Sequence, residues 1–532
     1  MMNEKQEKDS IWQRILTKQW SFFWAGIAFG LAQIIYMIAT WYSAVQRGRT
    51  PVLDPITVTS DLGRMFRTLE VTIYKIFHLP DFQLYGASID GIPSTGGAFV
   101  PGVGWQLIGM IIGGLLVALA EREFRTWVKY PPRVLFISFL GGVLFSYGTR
   151  LAGGCTLNHL IGGIPLMSIH STVTIVFMAI GGLLAFYLMG KLSLAPYFKH
   201  QETLSYVKLN DPVESITYDP NYRPTRSALF WITLIYIIFL VGVTLWAGLF
   251  NPEYVQHLKD GKLVAYNKSV ADRGLFFALM MLAAGIIAGF GMAKSGYGTE
   301  CALVSLETGK SMTKNDSFYA RLGVPRITRT LMRGYLPIIG LTATWVVMLA
   351  FIVPVWIFTG VAPGFESGIK EQLTLGNVIG GVLLGMGAVM LIGCEIRSYM
   401  RVGLGYLNTW VGFVGFAIGY LPYTLFYEQH NTFFYATRVT ETFKWYQLFF
   451  PNNEGLQKAM LFVWWIILIA FLLYLLRVGA KQIGLTPKHL VDLSTEDIQR
   501  TIDEVGKTSP VINGVPVPEP AKMPSTHNMK TT

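Results

Sequence analysis

The chain has 532 residues, 52% of them hydrophobic and only 14% charged, and its mean hydropathy of +0.43 excludes an ordinary soluble domain. In such a chain a net charge of +11 marks cytoplasmic loops and lipid-headgroup contacts, so nucleic-acid binding is set aside. Three cysteines are an odd number, which excludes a complete disulfide framework, and no C-x-x-C pair is present to bind zinc or shuttle electrons.

The fold class expected is an all-α polytopic membrane protein. Residues 1–19 carry Lys5, Lys8, Arg14 and Lys18 and read as a cytoplasmic N-terminal segment ahead of an uncleaved first span. Apolar stretches lie at 20–41, 103–120, 134–152, 169–190, 227–250, 274–293, 335–359, 375–393, 409–427 and 458–477, which predicts ten spans. Basic loops at 121–133 and 309–333 fall inside under an N-inside orientation. The loop at 251–273 falls outside with four basic residues, offset by Glu253, Asp260 and Asp272. The first transmembrane half is placed at 20–226 and the second at 227–480. Within the first, residues 42–102 form an inserted extracytoplasmic or interfacial segment. Its stretch DLGRMFRTLEVTIYKIFHL has the helical spacing of a helix lying on a surface. Residues 481–532 read as a cytoplasmic tail, partly disordered, with a polar helix near 494–506 opened by Ser494 and Asp497.

An internal repeat organises the two halves. GGVLFSYGTRLAGGC at 141–155 aligns without gaps on GGVLLGMGAVMLIGC at 380–394, which makes Cys155 and Cys394 equivalent positions. The paired segments are the third and eighth spans, an odd number of steps apart, so the halves have inverted topology. Each cysteine, with Cys301 in SGYGTECALVS, stands where glycine or a polar residue breaks an apolar stretch. In hydrocarbon such a break is tolerated where protein or a water-filled cavity covers it. Glycines before the breaks serve equally well as close helix packing, whereas Gly153, Gly154 and Gly393 adjoin the thiols themselves.

Arg150 lies inside an apolar stretch five residues before Cys155, where an unpaired charge costs about 2.5 kcal/mol or more. Two roles stay open for it: an anion attractant, or a structural partner of Glu121 or Glu395. Asn158 and His159 follow Cys155 and could each donate to an oxyanion, although a satisfied core histidine is an equal reading of His159. Glu395 and Arg397 follow Cys394 at once and could be solvated at a helix end. Thr299 and Glu300 precede Cys301.

These motifs resemble the YeeE/YedE family of sulphur-transport membrane proteins over roughly residues 20–480. RLAGGCTLNH, with Gly153, Gly154, Cys155 and Thr156, is the most specific part. SGYGTECALVSLE resembles the family's second element, a Gly-rich turn entering a helix. The resemblance implies that Cys155, Cys301 and Cys394 line an hourglass-shaped path and pass thiosulfate or a related sulphur or selenium species inward through S–H hydrogen bonds. Two departures stand out. With 42–102 set aside, the N-terminal counterpart of the Cys301 element falls near Arg47, Gly48, Arg49 and Thr50, without a thiol, and the last element reads IGCEIRS.

A thiol is a weak donor and a soft acceptor, and conduction requires sites that release as readily as they bind. The leading expectation is an importer of thiosulfate or another small sulphur-containing anion in the cell (inner) membrane, with both termini cytoplasmic. It needs no cofactor or metal, and the partners expected are the anion, membrane lipid and a cytoplasmic sulphur-carrier protein. The alternatives are a selenium-compound transporter and a membrane thiol enzyme or sulphur-relay subunit; the latter lacks a C-x-x-C motif and an evident base beside Cys301. A haem-bearing anchor subunit would need paired histidines, which the eight histidines do not supply.

Overall fold

The computed structural model describes residues 18–79, 84–86, 99–120, 124, 130–191, 224–259, 262–265, 269–297, 314, 326–364, 368–391, 393–508, 511–512 and 515–516. Among these the chain is all-α and polytopic, and each of the ten apolar stretches is helical. In the first half α1 spans Phe22–Gln46, α2 Thr59–Phe77, α3 Trp105–Ala120, α4 Pro132–Leu151 and α5 Ile169–Lys191. The second half holds α6 (Ala228–Leu249), α7 (Val270–Ser295), α8 (Arg326–Arg333), α9 (Leu336–Thr359), α10 (Leu375–Leu391), α11 (Glu395–Leu404), α12 (Leu407–Leu425), α13 (Tyr427–Ala436), α14 (Trp445–Phe449) and α15 (Glu454–Ile483). Short helices α16 (Pro487–Asp492) and α17 (Thr495–Thr508) follow, and two small antiparallel ribbons pair Gln256–Lys259 with Lys262–Ala265 and Val511–Ile512 with Val515–Pro516. Seven of these stretches are long and apolar enough to cross a membrane, counting Leu375–Leu404 as one; α12 with α13 makes an eighth, bent by 70° at the junction. Trp105–Ala120 and Ile169–Ala185 are apolar but shorter.

The repeat in the sequence reappears as packing. α3 lies on α7 as α9 lies on α1, and α4 lies on α12 as α10 lies on α5, while α1 meets α7 and α4 meets α10 across the relation itself. The offset that carries Cys155 to Cys394 also carries Gly148 to Gly387 and Phe145 to Leu384. Gly148 abuts Leu384, and Gly387 abuts Phe145. Likewise Gly141 abuts Met390, and its counterpart Gly380 abuts Leu151. Contacts that exchange under one offset, with the two helices antiparallel, are those of a two-fold axis in the membrane plane. Small residues allow the close approach: a Cβ on Gly26 would run into the Gly340 carbonyl, and one on Gly285 into that of Gln106.

The helix expected to cap the surface is instead packed into the protein. Along α2, Leu62, Met65, Phe66 and Val71 are buried together with Asp61, Arg67, Thr68, Glu70 and Thr72. Burial of so polar a face is possible because its charges are answered within the segment. Arg67 bridges Glu70 at 2.7 Å, and Glu70 also accepts from the backbone N–H of Leu84 at 2.7 Å and the hydroxyl of Tyr74 at 2.8 Å. Only the far end, at Ile76 and Phe77, is exposed. Arg47, near which the N-terminal counterpart of the Cys301 element was expected, ends α1 by pairing with Asp272 of α7 at 2.9 Å, and the Cys301 element itself lies outside the described residues.

Past residue 480 the described chain continues through α16 and α17. Ser494 opens α17, accepting from the Asp497 N–H at 3.2 Å and donating to its carboxylate at 2.8 Å.

Candidate functional site

The site forms where α4 ends. Asn377 of α10 donates to the Ala152 carbonyl at 2.8 Å, satisfying one of the acceptors that a helix C-terminus leaves open. Gly153 then turns the chain with φ +80°, against the Lys370 backbone, in a conformation that favours glycine. After Gly154 and Cys155 the chain re-enters a helix at Thr156 and continues as a π-helical turn over Leu157–Gly163, a form frequent at functional sites.

Cys155 is fully buried and reduced. Its backbone N–H donates to Thr59 Oγ1 at 3.0 Å, and its thiol donates to Asn158 Oδ1 at 3.1 Å. Thr59 in turn donates to the same Asn158 oxygen at 2.9 Å. The first residue of α2 is thus clasped onto the break, and Tyr420 of α12 holds it there by donating to the Thr59 carbonyl at 2.9 Å.

Arg150 is 3% exposed and faces protein. One guanidinium N–H donates to Ser60 at 3.1 Å, and the group lies 4.8 Å from the Phe99 ring centroid and 4.9 Å from that of Tyr423, a favourable placement for a desolvated cation. Arg150 forms no ion pair with Glu395 among the described residues, and Glu121, the other partner considered, lies outside them. Arg150 Nε has no hydrogen-bond partner among the described residues.

His159 is not available to an oxyanion. Its Nε2 meets the Gly154 carbonyl at 3.1 Å and its Nδ1 meets Ser171 Oγ at 3.0 Å, so the ring pins the break to α5. Asn158 spends its oxygen on Cys155 and Thr59. Thr156 Oγ1 is buried and without a partner among the described residues.

Cys394 is fully buried and reduced at the start of α11. The residues after it are not solvated: Glu395 is 1% exposed and Arg397 fully buried. Arg397 packs beside Gly393, where an added Cβ would lie 3.4 Å from the Arg397 side chain. Glu395 accepts from the Tyr399 hydroxyl and lies close enough to Cys155 for the two groups to influence each other. A residue adjoining the second cysteine therefore stands beside the first, and the two breaks converge. Cys301 and Thr299 lie outside the described residues.

Sequence reasoning missed Thr59, Ser60, Phe99, Tyr399, Tyr420 and Tyr423. A signal for the first two was present: Thr59-Ser60-Asp61 before an apolar run is a helix-start pattern, and such a start aimed at a broken helix is an anion-friendly arrangement.

Comparison with known proteins identifies the family. The sequence model of a family described as sulphur transport matches residues 1–184 and 326–502, segments that include Cys155 and Cys394 and leave out Cys301. Among curated proteins, the thiosulfate transporter TsuA of Spirochaeta thermophila is 28% identical over 78 residues, 15% of this chain and 24% of that protein. The thiosulfate transporter TsuA of Escherichia coli is 33% identical over 75 residues, 14% of this chain and 21% of that protein. The chain thus spans about a quarter or less of the length of these relatives.

Proposed function

Because the chain belongs to the sulphur-transport family, we propose that it imports thiosulfate, or a related small sulphur-containing anion, along a path lined by Cys155, Cys301 and Cys394. The observation that carries this reading is the convergence of two reduced, buried cysteines at two-fold-related helix breaks. Structural cysteines have no reason to occupy both symmetry-related breaks, whereas transporter sites are built at such repeat interfaces. Around Cys155 the neutral polar lining is weak: a thiol, two hydroxyls and an amide oxygen, with the Glu395 carboxyl beside them. A soft anion held by such groups binds loosely enough to leave again. Arg150 supplies the attraction, a cation embedded in aromatic rings with an N–H still to offer. Gly153, Gly154 and Gly393 let the Lys370 backbone, Asn158 and Arg397 pack directly against the breaks that carry the thiols. In this reading the protein lies in the inner membrane with both termini cytoplasmic, and a cytoplasmic sulphur carrier could receive the cargo.

Uptake of labelled thiosulfate into proteoliposomes tests the reading. Cys155→Ser and Cys394→Ser should each slow uptake about tenfold or more, the change produced by ~1.4 kcal/mol of barrier, with Cys301→Ser behaving alike. Unchanged uptake in all three would discard the thiol path; no uptake by the wild type would discard the substrate.

A further inference from the structure

Glu395 is a carboxyl group at membrane depth that anion attraction does not explain. It stands at the start of α11 in the break between α10 and α11, 1% exposed. One oxygen accepts from Tyr399 and the carboxyl lies beside the Cys155 thiol, while Oε2 has no hydrogen-bond partner among the described residues. The groups that act on it from neighbouring elements are Cys155, Asp61 of α2, Tyr420 of α12 and Arg150 of α4, with Tyr399 on its own helix. α3, which packs along α11, has no titratable residue, and α7 adds the buried Lys294.

Two opposed influences meet at this carboxyl. An ion in a low-dielectric interior with one oxygen unanswered is costly, which favours the acid. The α11 N-terminus and the Tyr399 hydroxyl favour the carboxylate. A group so balanced can exchange its proton without an extreme change of conditions. Its position beside the Cys155 thiol then has a consequence. A dianion held at that thiol sits next to Glu395, and two like charges a few ångströms apart repel by several kcal/mol at a protein-like dielectric of ~20. The anion and a carboxylate therefore exclude each other, whereas the protonated acid has an O–H to donate to the anion.

We propose that Glu395 is a proton-binding site that couples passage of the anion at Cys155 to entry of a proton. The inference rests on the anion-import reading. By linkage, each ligand tightens the other: the proton is taken up on Glu395 with the anion and is released to the cytoplasm after the anion leaves. Net movement is one anion with at least one proton, and no covalent bond changes.

The test is thiosulfate uptake into proteoliposomes with the outside more acid than the inside, compared with uptake at equal pH and with a protonophore. Wild-type uptake should rise several-fold in the gradient and lose that rise with the protonophore. Glu395→Gln, whatever its basal rate, should show a gradient-to-no-gradient ratio near one. Wild-type uptake indifferent to the gradient, or a Glu395→Gln variant that keeps the response, overturns the coupling and leaves anion import standing. No uptake by the wild type under any condition overturns both. Infrared difference spectra guard against a variant that fails to fold. Adding thiosulfate to the wild type should produce a protonated-carboxyl band whose frequency shifts in Tyr399→Phe, and absence of that band sinks the proposal.

Discussion

At the residue scale the chemistry of the break depends on which charges stand beside it. Lys370, in the loop between α9 and α10, is half-buried and its backbone abuts Gly153. Burial, reinforced by Arg150 and Arg64 against the opposing Glu371, pulls its ammonium down from the usual lysine range to about 7. Below that value Lys370 adds a second positive charge near Arg150; as pH rises through it the charge is lost. The anion affinity of the wild type should therefore fall across neutral pH, read as a rising KM in proteoliposomes held at equal pH on both sides. Lys370→Gln should show the high KM at every pH, and Lys370→Arg the low one. A Lys370→Gln profile superimposed on the wild type would remove Lys370 from anion recognition. This readout separates it from Glu395, whose substitution acts on the response to a gradient.

Helices and breaks were legible in the sequence to different degrees, and α2 shows why. The ten apolar stretches were readable because a membrane helix announces itself by composition over its whole length, and the repeat was readable because the two-fold relation is written in glycines that allow helices to touch. The amphipathic pattern of α2 is compatible with both a surface and an interior. The pairing of Arg67 with Glu70 one turn on, and of Glu70 with backbone near Leu84, makes the interior possible, and neither pairing is written in the apolar pattern. His159 was ambiguous for the same reason: its role follows from Ser171 and the Gly154 carbonyl. The helix start that reaches Cys155 can be tested directly. Thr59→Val removes the acceptor of the Cys155 N–H and the donor to Asn158 while keeping the side-chain shape, leaving a buried donor unanswered at a cost of about 1–3 kcal/mol. A lower midpoint of thermal unfolding in detergent and slower uptake are expected, with both restored in Thr59→Ser. A Thr59→Val protein as stable and active as the wild type would show that the clasp is incidental.

For the whole molecule, the two-fold relation makes a demand that neither half makes alone. Cys155 and Cys394 are both fully buried, so under the proposed function passage of an anion would require the two halves to move relative to each other, and in inverted-repeat transporters that motion is rocking of one repeat against the other. The surface on which such rocking would turn is the α4–α10 contact, where the helices of the two breaks meet. Its closeness rests on glycines at equivalent positions: an added Cβ on Gly148 would lie 2.7 Å from the Leu384 nitrogen, and one on Gly387 at 2.5 Å from that of Phe145. Under the two-fold relation the two positions are expected to be energetically interchangeable. Gly148→Ala and Gly387→Ala should each overpack the seam and destabilise by about 1–3 kcal/mol, with matching falls in the thermal midpoint and matching losses of uptake. Gly242→Ala on α6 provides the contrast, since its Cβ would meet nothing within 4 Å and alanine is the better helix former by roughly 1 kcal/mol. It should leave the midpoint unchanged or raise it. Unequal effects at Gly148 and Gly387 would mean that the halves share a sequence pattern without sharing mechanical work. Equal effects would place the pivot of the transporter on the segments that deliver Cys155 and Cys394 to its centre.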